Sequence, residues 1–230
     1  LVLDEVESLA TDPTPLGPAG SEAVMILSGS LADGENRWLG LRLAALLHDI
    51  AKPDTRVEFE NGRIGFPGHD DAGALVADEV LLERFKTSAR LAAFVRAEIV
   101  DHLTAGFMTH EEPIGLRQVH AYLQQTGQAA VDTTVISVAD RLATRGRNSE
   151  AAIAKHLALT ERLLTAAVER EREGAPEPLV RGDVLAEALG IAQGPQLGSV
   201  LAELAAAQYA HEVTTEAEAI EHARSFVSAE

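Results

Sequence analysis

Residues 41–53 read LRLAALLHDIAKP, which predicts a buried helix that ends in a histidine and an aspartate. Its first residues recur at the i, i+3, i+4 and i+7 spacing of a buried helical stripe: Leu41, Ala44, Ala45 and His48. The next residue, Asp49, lies about 100° further around the same helix. An imidazole and a carboxylate at the end of an apolar helix are costly to bury unless a partner satisfies them. A divalent metal is one such partner, and a hydrogen-bonded His–Asp pair in the core is the alternative.

The composition favours a mainly α-helical fold. The 230 residues are rich in alanine and leucine, only 4% are aromatic, and Gly and Pro cluster between long periodic runs. The absence of cysteine excludes disulfides, thiolate metal sites and cysteine nucleophiles. A formal net charge of −17 argues against a general nucleic-acid-coating surface, although not against a local basic pocket. Because the sequence shows no apolar stretch of membrane-spanning length and no signal peptide, we expect a cytoplasmic protein without a membrane partner.

Hydrophobic periodicity predicts two helical domains. Residues 1–173 form a helical bundle, residues 179–230 form a smaller helical tail, and the Gly- and Pro-rich segment Gly174–Pro178 links them. Within the bundle, Ser21–Leu31 is predicted to be the second helix and Arg37–Ala51 the helix that carries the His–Asp pair.

A different periodicity follows that helix. Apolar and polar residues alternate on either side of Asn61-Gly62, which is a residue pair that tight hairpin turns prefer. We therefore predict one small β-hairpin at Val57–Phe66, as the only strand pair in an otherwise all-α protein.

Three further polar residues share helix faces with aliphatic residues. His69, His102 and Asp140 each align with apolar neighbours at helical spacing, so each is predicted to point inward. Taken singly, a buried His is usually a hydrogen-bonded core residue, and a buried Asp is a cap or an ion-pair partner. Together with His48 and Asp49 they instead favour a metal site. Imidazole and carboxylate ligands without sulfur suit manganese, iron, nickel, cobalt or magnesium better than a structural zinc site.

The order His-Asp, His, His and a distant Asp resembles the HD superfamily of metal-dependent phosphohydrolases. Longer strings resemble the HD domain attached to bacterial tRNA nucleotidyltransferases: HDIAKPDTR (48–56), GR (62–63) and FPGH (66–69). The end of the chain is similar to the C-terminal helical segment of those enzymes, in LVRGDVL (179–185), LGI (189–191) and GPQLG (194–198). The combined resemblance runs from about Arg37 onward.

This resemblance implies an HD-domain helical bundle that binds one or two divalent metal ions. We expect His48, Asp49 and Asp140 to bind one ion, with Asp49 placed to bridge. We expect His69 and His102 to hold a second ion. Two close cations lower the pKa of a bridging water and neutralise phosphate oxygens during in-line attack.

Three residues near these ligands are predicted to meet the substrate. Lys52 follows the His-Asp pair and is, with Asp49, a predicted catalytic residue; it is also a candidate for binding phosphate. Thr144 and Arg145 lie one turn past Asp140 and are further substrate-binding candidates. The alternative for all three is a solvated helix end.

Two departures from the family pattern are expected to matter. The sequence lacks the Gly-Ser loop and paired aspartates of a nucleotidyltransferase head, so nothing in it adds CCA to a tRNA. HD domains usually supply an additional His from their first helix, and no His precedes His48. The opening LVLDEVESLA resembles the remainder of that helix, and we expect the missing ligand to have been truncated or to be disordered. If this His was never encoded, the first metal position is short of a ligand.

Two functions from different classes remain. The first is a metal-dependent phosphohydrolase or phosphodiesterase acting on nucleotide or RNA-end phosphoesters, such as 2′,3′-cyclic phosphates or nucleotide monophosphates. The second is a non-hydrolytic tRNA- or RNA-binding body of a split or truncated tRNA nucleotidyltransferase. Its local basic cluster is confined to Arg141, Arg145, Arg147 and Lys155. The expected partners are a nucleotide or RNA 3′ end, with tRNA and a second copy of the chain in a homodimer as further candidates.

Overall fold

A computed structural model describes residues 1–111, 113–146 and 149–229, so Arg147 of the basic cluster lies outside the described residues. Most of the described chain is helical. The helices are α1 (Val2–Thr11), α2 (Gly20–Leu27), α3 (Arg37–Leu47), α4 (His69–Glu79), α5 (Ala89–Asp101), α6 (Thr104–Met108), α7 (Leu116–Thr126), α8 (Ala130–Ala143), α9 (Ser149–Glu173), α10 (Gly182–Leu189), α11 (Pro195–Tyr209) and α12 (Glu216–Ala229). A single π-helical turn, Val80–Arg84, continues α4.

The strands are short and form two antiparallel pairs. They are β1 (Ser30–Ala32), β2 (Glu35–Asn36), β3 (Val57–Glu58) and β4 (Ile64–Gly65). The predicted hairpin is the β3–β4 pair, in which Val57 lies opposite Gly65. The all-α fold class with a small hairpin is therefore confirmed.

The prediction that this hairpin is the only strand pair is wrong, because β1 pairs with β2. Asp33 and Gly34 connect these strands with φ values of 58° and 81°. Two successive residues with positive φ make the tight turn that joins antiparallel strands, and Asp-Gly is a favoured pair for it. The predicted helix Ser21–Leu31 is correspondingly too long, because α2 ends at Leu27 and the chain turns into β1.

The chain divides into two compact units. The first contains Leu1–Glu112 and Thr126–Glu171, and the second contains Pro113–Gln125 and Arg172–Glu230. The second unit thus includes most of α7, which the sequence alone places in the first domain. The domain boundaries at residues 173 and 179 stay a proposal.

The first unit is built around α8. Eleven residues of this helix are buried, from Ala130 through Ala139 and at Ala143. Helices α1 and α3 pack against it, and α5 packs on both α3 and α4. A helix that is covered on every side presents its polar side chains to neighbouring helices rather than to water, and these are the positions from which a site can be assembled.

The second unit has an apolar core of its own. Its buried members come from α10, α11, α12 and the segments beside them: Val180, Leu185, Leu197, Val200, Leu204, Ala207, Val213, Ala219 and Ala223. The side chain of Arg117 in α7 donates hydrogen bonds to Glu203 and Glu212 of the same unit.

A buried ion pair joins α3 to α8. The guanidinium of Arg37 donates to both carboxylate oxygens of Asp132, which is fully buried, and its Nε lies 2.8 Å from Oδ1. The same guanidinium donates to Glu171 of α9 at 2.9 Å and to the Gln128 carbonyl at 3.2 Å. The first residue of α3, the helix that precedes His48, is therefore fixed to the central helix.

Close to this pair lies a second buried carboxyl, and burial outweighs the interactions that would stabilise its charge. Glu98 of α5 is fully buried, and neither of its side-chain oxygens has a hydrogen-bond partner in the described chain. Burial raises the pKa of Glu98 well above its ordinary value, and the negative charge of Asp132 acts in the same direction. This environment favours the neutral acid.

Glu98→Gln is expected to stabilise the protein by an amount that grows with pH. The native state holds the Glu98 proton more tightly than the unfolded chain, so the wild type loses stability as the pH rises above about 4.5, the ordinary pKa, towards the raised native value. Glutamine has no such proton to lose. Each unit of pKa elevation corresponds to about 1.4 kcal/mol. Urea unfolding between pH 5 and 8 measures the difference; an advantage that does not change with pH, or one matched by Glu60→Gln on the exposed hairpin, contradicts the explanation.

Among the described helices, none combines the length and apolar character needed to cross a membrane.

Candidate metal centre

Two histidines end the helices that carry them. The His48 backbone makes the last helical hydrogen bond of α3, and its Nδ1 lies 3.0 Å from the Ala45 carbonyl oxygen. His102 follows α5 in the same way, with Nδ1 2.6 Å from the Ile99 carbonyl oxygen. In both cases the imidazole bonds the carbonyl oxygen to which the N–H of the following residue would donate if the helix continued. For this reason α3 ends at Leu47 instead of continuing to Ala51 as predicted.

The third histidine begins a helix. His69 is the first residue of α4, and its Nδ1 lies 2.7 Å from the carbonyl oxygen of Phe66. All three imidazoles thus direct Nδ1 at a backbone carbonyl three residues earlier. A neutral ring whose Nδ1–H donates to a carbonyl keeps the lone pair on Nε2, which is the arrangement seen in metal-ligating histidines.

The Nε2 atoms of His48 and His69 lie close to aspartate carboxylates. His48 Nε2 lies 3.3 Å from Asp49 Oδ2 and 3.8 Å from Asp140 Oδ1. His69 Nε2 lies 3.4 Å from the other oxygen of Asp49, Oδ1. Asp49 consequently stands between two imidazoles, with one carboxylate oxygen towards each.

His102 stands near both of the other histidines. Its ring centroid is 5.1 Å from that of His48 and 5.4 Å from that of His69, and the rings meet edge to face. His48, Asp49 and His102 each offer one ligand atom within 4.8 Å of the others. We refer to His48, Asp49, His69, His102 and Asp140 together as the His–Asp cluster.

The cluster contains buried polar atoms that the described residues do not satisfy. His48 Nε2, His69 Nε2 and Asp49 Oδ1 are inaccessible to solvent and have no hydrogen-bond partner in the described chain. Leaving such atoms unpaired costs roughly 1–3 kcal/mol each. A divalent cation satisfies two nitrogen lone pairs and a carboxylate together, so these residues fit the metal that the sequence predicts.

The protonation states of Asp49 and His102 also favour binding of a cation. Burial opposes ionisation of Asp49, but the neighbouring His48 and Lys52 outweigh burial and hold the pKa of this carboxyl far below its ordinary value. Burial lowers the pKa of His102, and the adjacent His48 ring acts in the same direction. At neutral pH these groups therefore have the ionised carboxylate and neutral imidazole that metal ligands require. For His48, burial disfavours the charged ring, yet the two aspartates raise its pKa.

The three predicted substrate-binding residues lie in different surroundings. Lys52 is at the cluster, with Nζ donating to Asp49 Oδ2 at 2.7 Å. Thr144 and Arg145 lie at the C-terminal end of α8, where Thr144 donates to the Asp140 carbonyl at 3.3 Å and Arg145 donates to the Leu142 carbonyl at 2.7 Å. Within the described part of the chain neither bonds to a side chain of the cluster. Their substrate-binding role stays a prediction.

Phe66 contributes to the site and was not predicted from the sequence. Its carbonyl accepts the hydrogen bond from His69, and its ring centroid lies 5.6 Å from Lys52 Nζ. The motif FPGH contains this residue, but its spacing does not indicate that a backbone carbonyl and a ring act on two different side chains.

These features define a helical protein in which histidines and aspartates from the C-terminal ends of α3 and α5, the start of α4 and the last turn of α8 lie close together. A family model described as the HD domain matches residues 21–145, which is more than half of the chain. The chain belongs to the HD domain family.

Two curated relatives extend this similarity beyond the HD domain. The A-adding tRNA nucleotidyltransferase of Deinococcus radiodurans is 35% identical over 192 residues, which cover 81% of this chain and 41% of the relative. The CC-adding tRNA nucleotidyltransferase of Thermus thermophilus is 35% identical over 186 residues, covering 79% of this chain and 38% of the relative. The chain therefore spans about two-fifths of the length of these relatives.

Proposed function

We propose that this chain is a metal-dependent phosphohydrolase acting on nucleotide or RNA-end phosphoesters. The observation that carries the proposal is the position of Asp49, whose two oxygens face the Nε2 atoms of His48 and His69. A divalent ion bound there supplies an activated water and neutralises phosphate oxygens. Manganese, iron, nickel, cobalt and magnesium remain the candidate ions, because the donors are nitrogen and oxygen.

Each residue of the His–Asp cluster, and Lys52 beside it, has a proposed role that matches its position. His48, Asp49 and Asp140 would hold a first ion, and His69 and Asp49 would hold a second ion. His102 lies beside both His48 and His69 and would be a further ligand. The Lys52 ammonium lies at the same carboxylate and would donate a hydrogen bond to a phosphate oxygen of the substrate.

The similarity to the two tRNA nucleotidyltransferases supports the proposed substrate class. The names of those relatives give tRNA as what they act on, which supports an RNA substrate here. We propose an RNA 3′ end, a 2′,3′-cyclic phosphate or a nucleotide monophosphate within that class. The proposed site needs only a phosphoester small enough to reach the His–Asp cluster.

The same similarity favours a second candidate function, a tRNA-binding body that hydrolyses nothing. The charge distribution weakens this alternative. The sequence of the second unit contains four arginines and no lysine against ten acidic residues. Because RNA affinity comes largely from Lys and Arg neutralising phosphates, this unit is a poor RNA-binding surface.

The experiment that separates the two functions combines metal analysis with an activity panel. The purified chain, loaded separately with each candidate metal, is tested on 2′,3′-cyclic nucleotides, nucleotide monophosphates and a tRNA ending in a phosphate. Metal-dependent release of phosphate or opening of the cyclic phosphate supports the hydrolase. Specific tRNA binding without turnover under any metal supports the alternative. His110→Ala is a matched control because His110 is exposed and outside the cluster.

His102→Ala is expected to keep the helical fold and to lower turnover about 100-fold, because an imidazole beside the proposed ions is lost. Circular dichroism reports the fold, and metal content is measured beside the rate. A His102→Ala protein with full activity and unchanged metal content would make His102 a structural residue.

A further inference from the structure

Lys52 occupies the carboxylate oxygen that a metal ion needs. Its Nζ lies 2.7 Å from Asp49 Oδ2, the oxygen that is also 3.3 Å from His48 Nε2. A divalent ion bound between His48 and Asp49 would approach this oxygen to about 2 Å. The ammonium and the ion cannot both remain there without strong repulsion between like charges.

A second place for the ammonium is present beside the first. Lys52 Nζ already lies 5.6 Å from the centroid of the Phe66 ring, which is within the range of a cation–π contact. The Lys52 side chain is 37% exposed, so it has room to turn away from the carboxylate. Phe66 itself is fixed near the cluster because its carbonyl accepts the His69 hydrogen bond.

We infer that Lys52 is an internal competitor of the metal ion and that the Phe66 ring receives the ammonium when the ion binds. The inference rests on the metal site proposed above. The ammonium pairs with Asp49 and offsets the negative charge of this partly buried carboxylate. On loading, Lys52 moves from Asp49 to the ring, and the ammonium becomes available to a phosphate oxygen. Phe66 is then a positioning residue that acts through Lys52.

This exchange implies that metal binding precedes tight phosphate binding. While the Lys52 ammonium is paired with Asp49 it binds phosphate only weakly, because the carboxylate and the phosphate are both anions and compete for it. Metal loading removes that competition, so tight phosphate binding follows loading. Lys52 consequently opposes metal binding and assists substrate binding, two effects of opposite sign from one side chain.

The first test measures Mn²⁺ affinity by titration calorimetry on the full chain. Lys52→Met is expected to bind Mn²⁺ roughly tenfold more tightly than the wild type, because both the competing ion pair and the like-charge repulsion disappear. Lys86→Met is the matched control. Lys86 also pairs with an acid three residues earlier, Glu83, at 3.3 Å, but away from the cluster. Its variant is expected to bind like the wild type.

The second test isolates the ring. Phe66→Leu keeps the backbone carbonyl and removes the aromatic face, so it is expected to weaken Mn²⁺ binding roughly threefold, the size of a partly exposed cation–π contact. In the Lys52→Met background the same change is expected to have no effect. Phe59→Leu is the control, because Phe59 carries a comparable contact with Arg63, 5.1 Å from its ring centroid, on the hairpin.

The outcomes separate the inference from the proposed function. If the wild type does not bind Mn²⁺, or if Asp49→Ala binds it equally well, the metal site itself is wrong. If Asp49→Ala loses binding but Lys52→Met binds no more tightly than the wild type, competition by Lys52 is overturned while the site stands. If Phe66→Leu weakens binding equally in both backgrounds, the ring is a structural element and does not receive the ammonium.

Discussion

Asp49→Ala is expected to lose tight divalent-metal binding and to reduce phosphoester hydrolysis by at least about 10³-fold, equivalent to roughly 4 kcal/mol of transition-state stabilisation. The reason is geometric. Asp49 is the cluster member whose two oxygens face different imidazoles, so its removal affects both proposed ion positions. The change also deprives Lys52 of its carboxylate partner. Rates with saturating Mn²⁺ and metal content after dialysis measure the effect.

Asp54→Ala is the control for this prediction, because Asp54 is an exposed carboxylate only five residues further along the chain. It is expected to leave metal content and rate unchanged. An Asp49→Ala protein that retains stoichiometric metal would contradict the proposed role of Asp49, whatever its activity.

Arg37→Met is expected to produce the largest loss of stability, roughly 3–5 kcal/mol. The substitution leaves the Asp132 carboxylate fully buried without its ion-pair partner, and an uncompensated buried charge is costly. Hydrogen bonds from the guanidinium to Glu171 and to the Gln128 carbonyl are lost at the same time. Chemical denaturation with circular dichroism detection measures the change.

Arg42→Met provides the comparison within the same helix. Arg42 pairs with Glu7, but both side chains are substantially exposed, so its loss is expected to cost less than about 1 kcal/mol. Adding Asp132→Leu to Arg37→Met is expected to recover part of the lost stability, because the orphaned charge is removed. Equal effects of the two single arginine substitutions would show that burial of the Arg37 pair contributes nothing.

The helical fold could be predicted because the apolar stripes repeat at helical spacing. The same periodicity correctly predicts that His48, His69 and His102 are buried, whereas Asp140, also predicted to point inward, has a side chain that is 39% exposed. The structure brings these residues close to Asp49. Helix ends were less predictable where a side chain replaces a backbone donor. The His48 ring bonds the Ala45 carbonyl and ends α3 earlier than apolar periodicity suggests.

The β1–β2 pair was missed although its turn signal is present. Asp33-Gly34 is as favourable for a tight turn as Asn61-Gly62, but the strands beside it are too short to show an alternating pattern. The partners of buried polar residues were not predictable at all. The sequence VDTTVISVADR indicates that α8 carries inward polar groups, but only the packing of α3 and α5 determines that Arg37 meets Asp132 and that Glu98 lies beside it.

Anomalous diffraction from crystals of the chain soaked in Mn²⁺ would locate the proposed metal site. We expect an anomalous peak within about 2–2.3 Å of His48 Nε2 and an oxygen of Asp49, distances typical of first-row metal–ligand bonds. A second peak on the Asp49 Oδ1 and His69 side would indicate two ions. Crystals that show no peak among His48, Asp49 and His102 at saturating Mn²⁺, or that bind the ion only elsewhere, would contradict the proposed metal site.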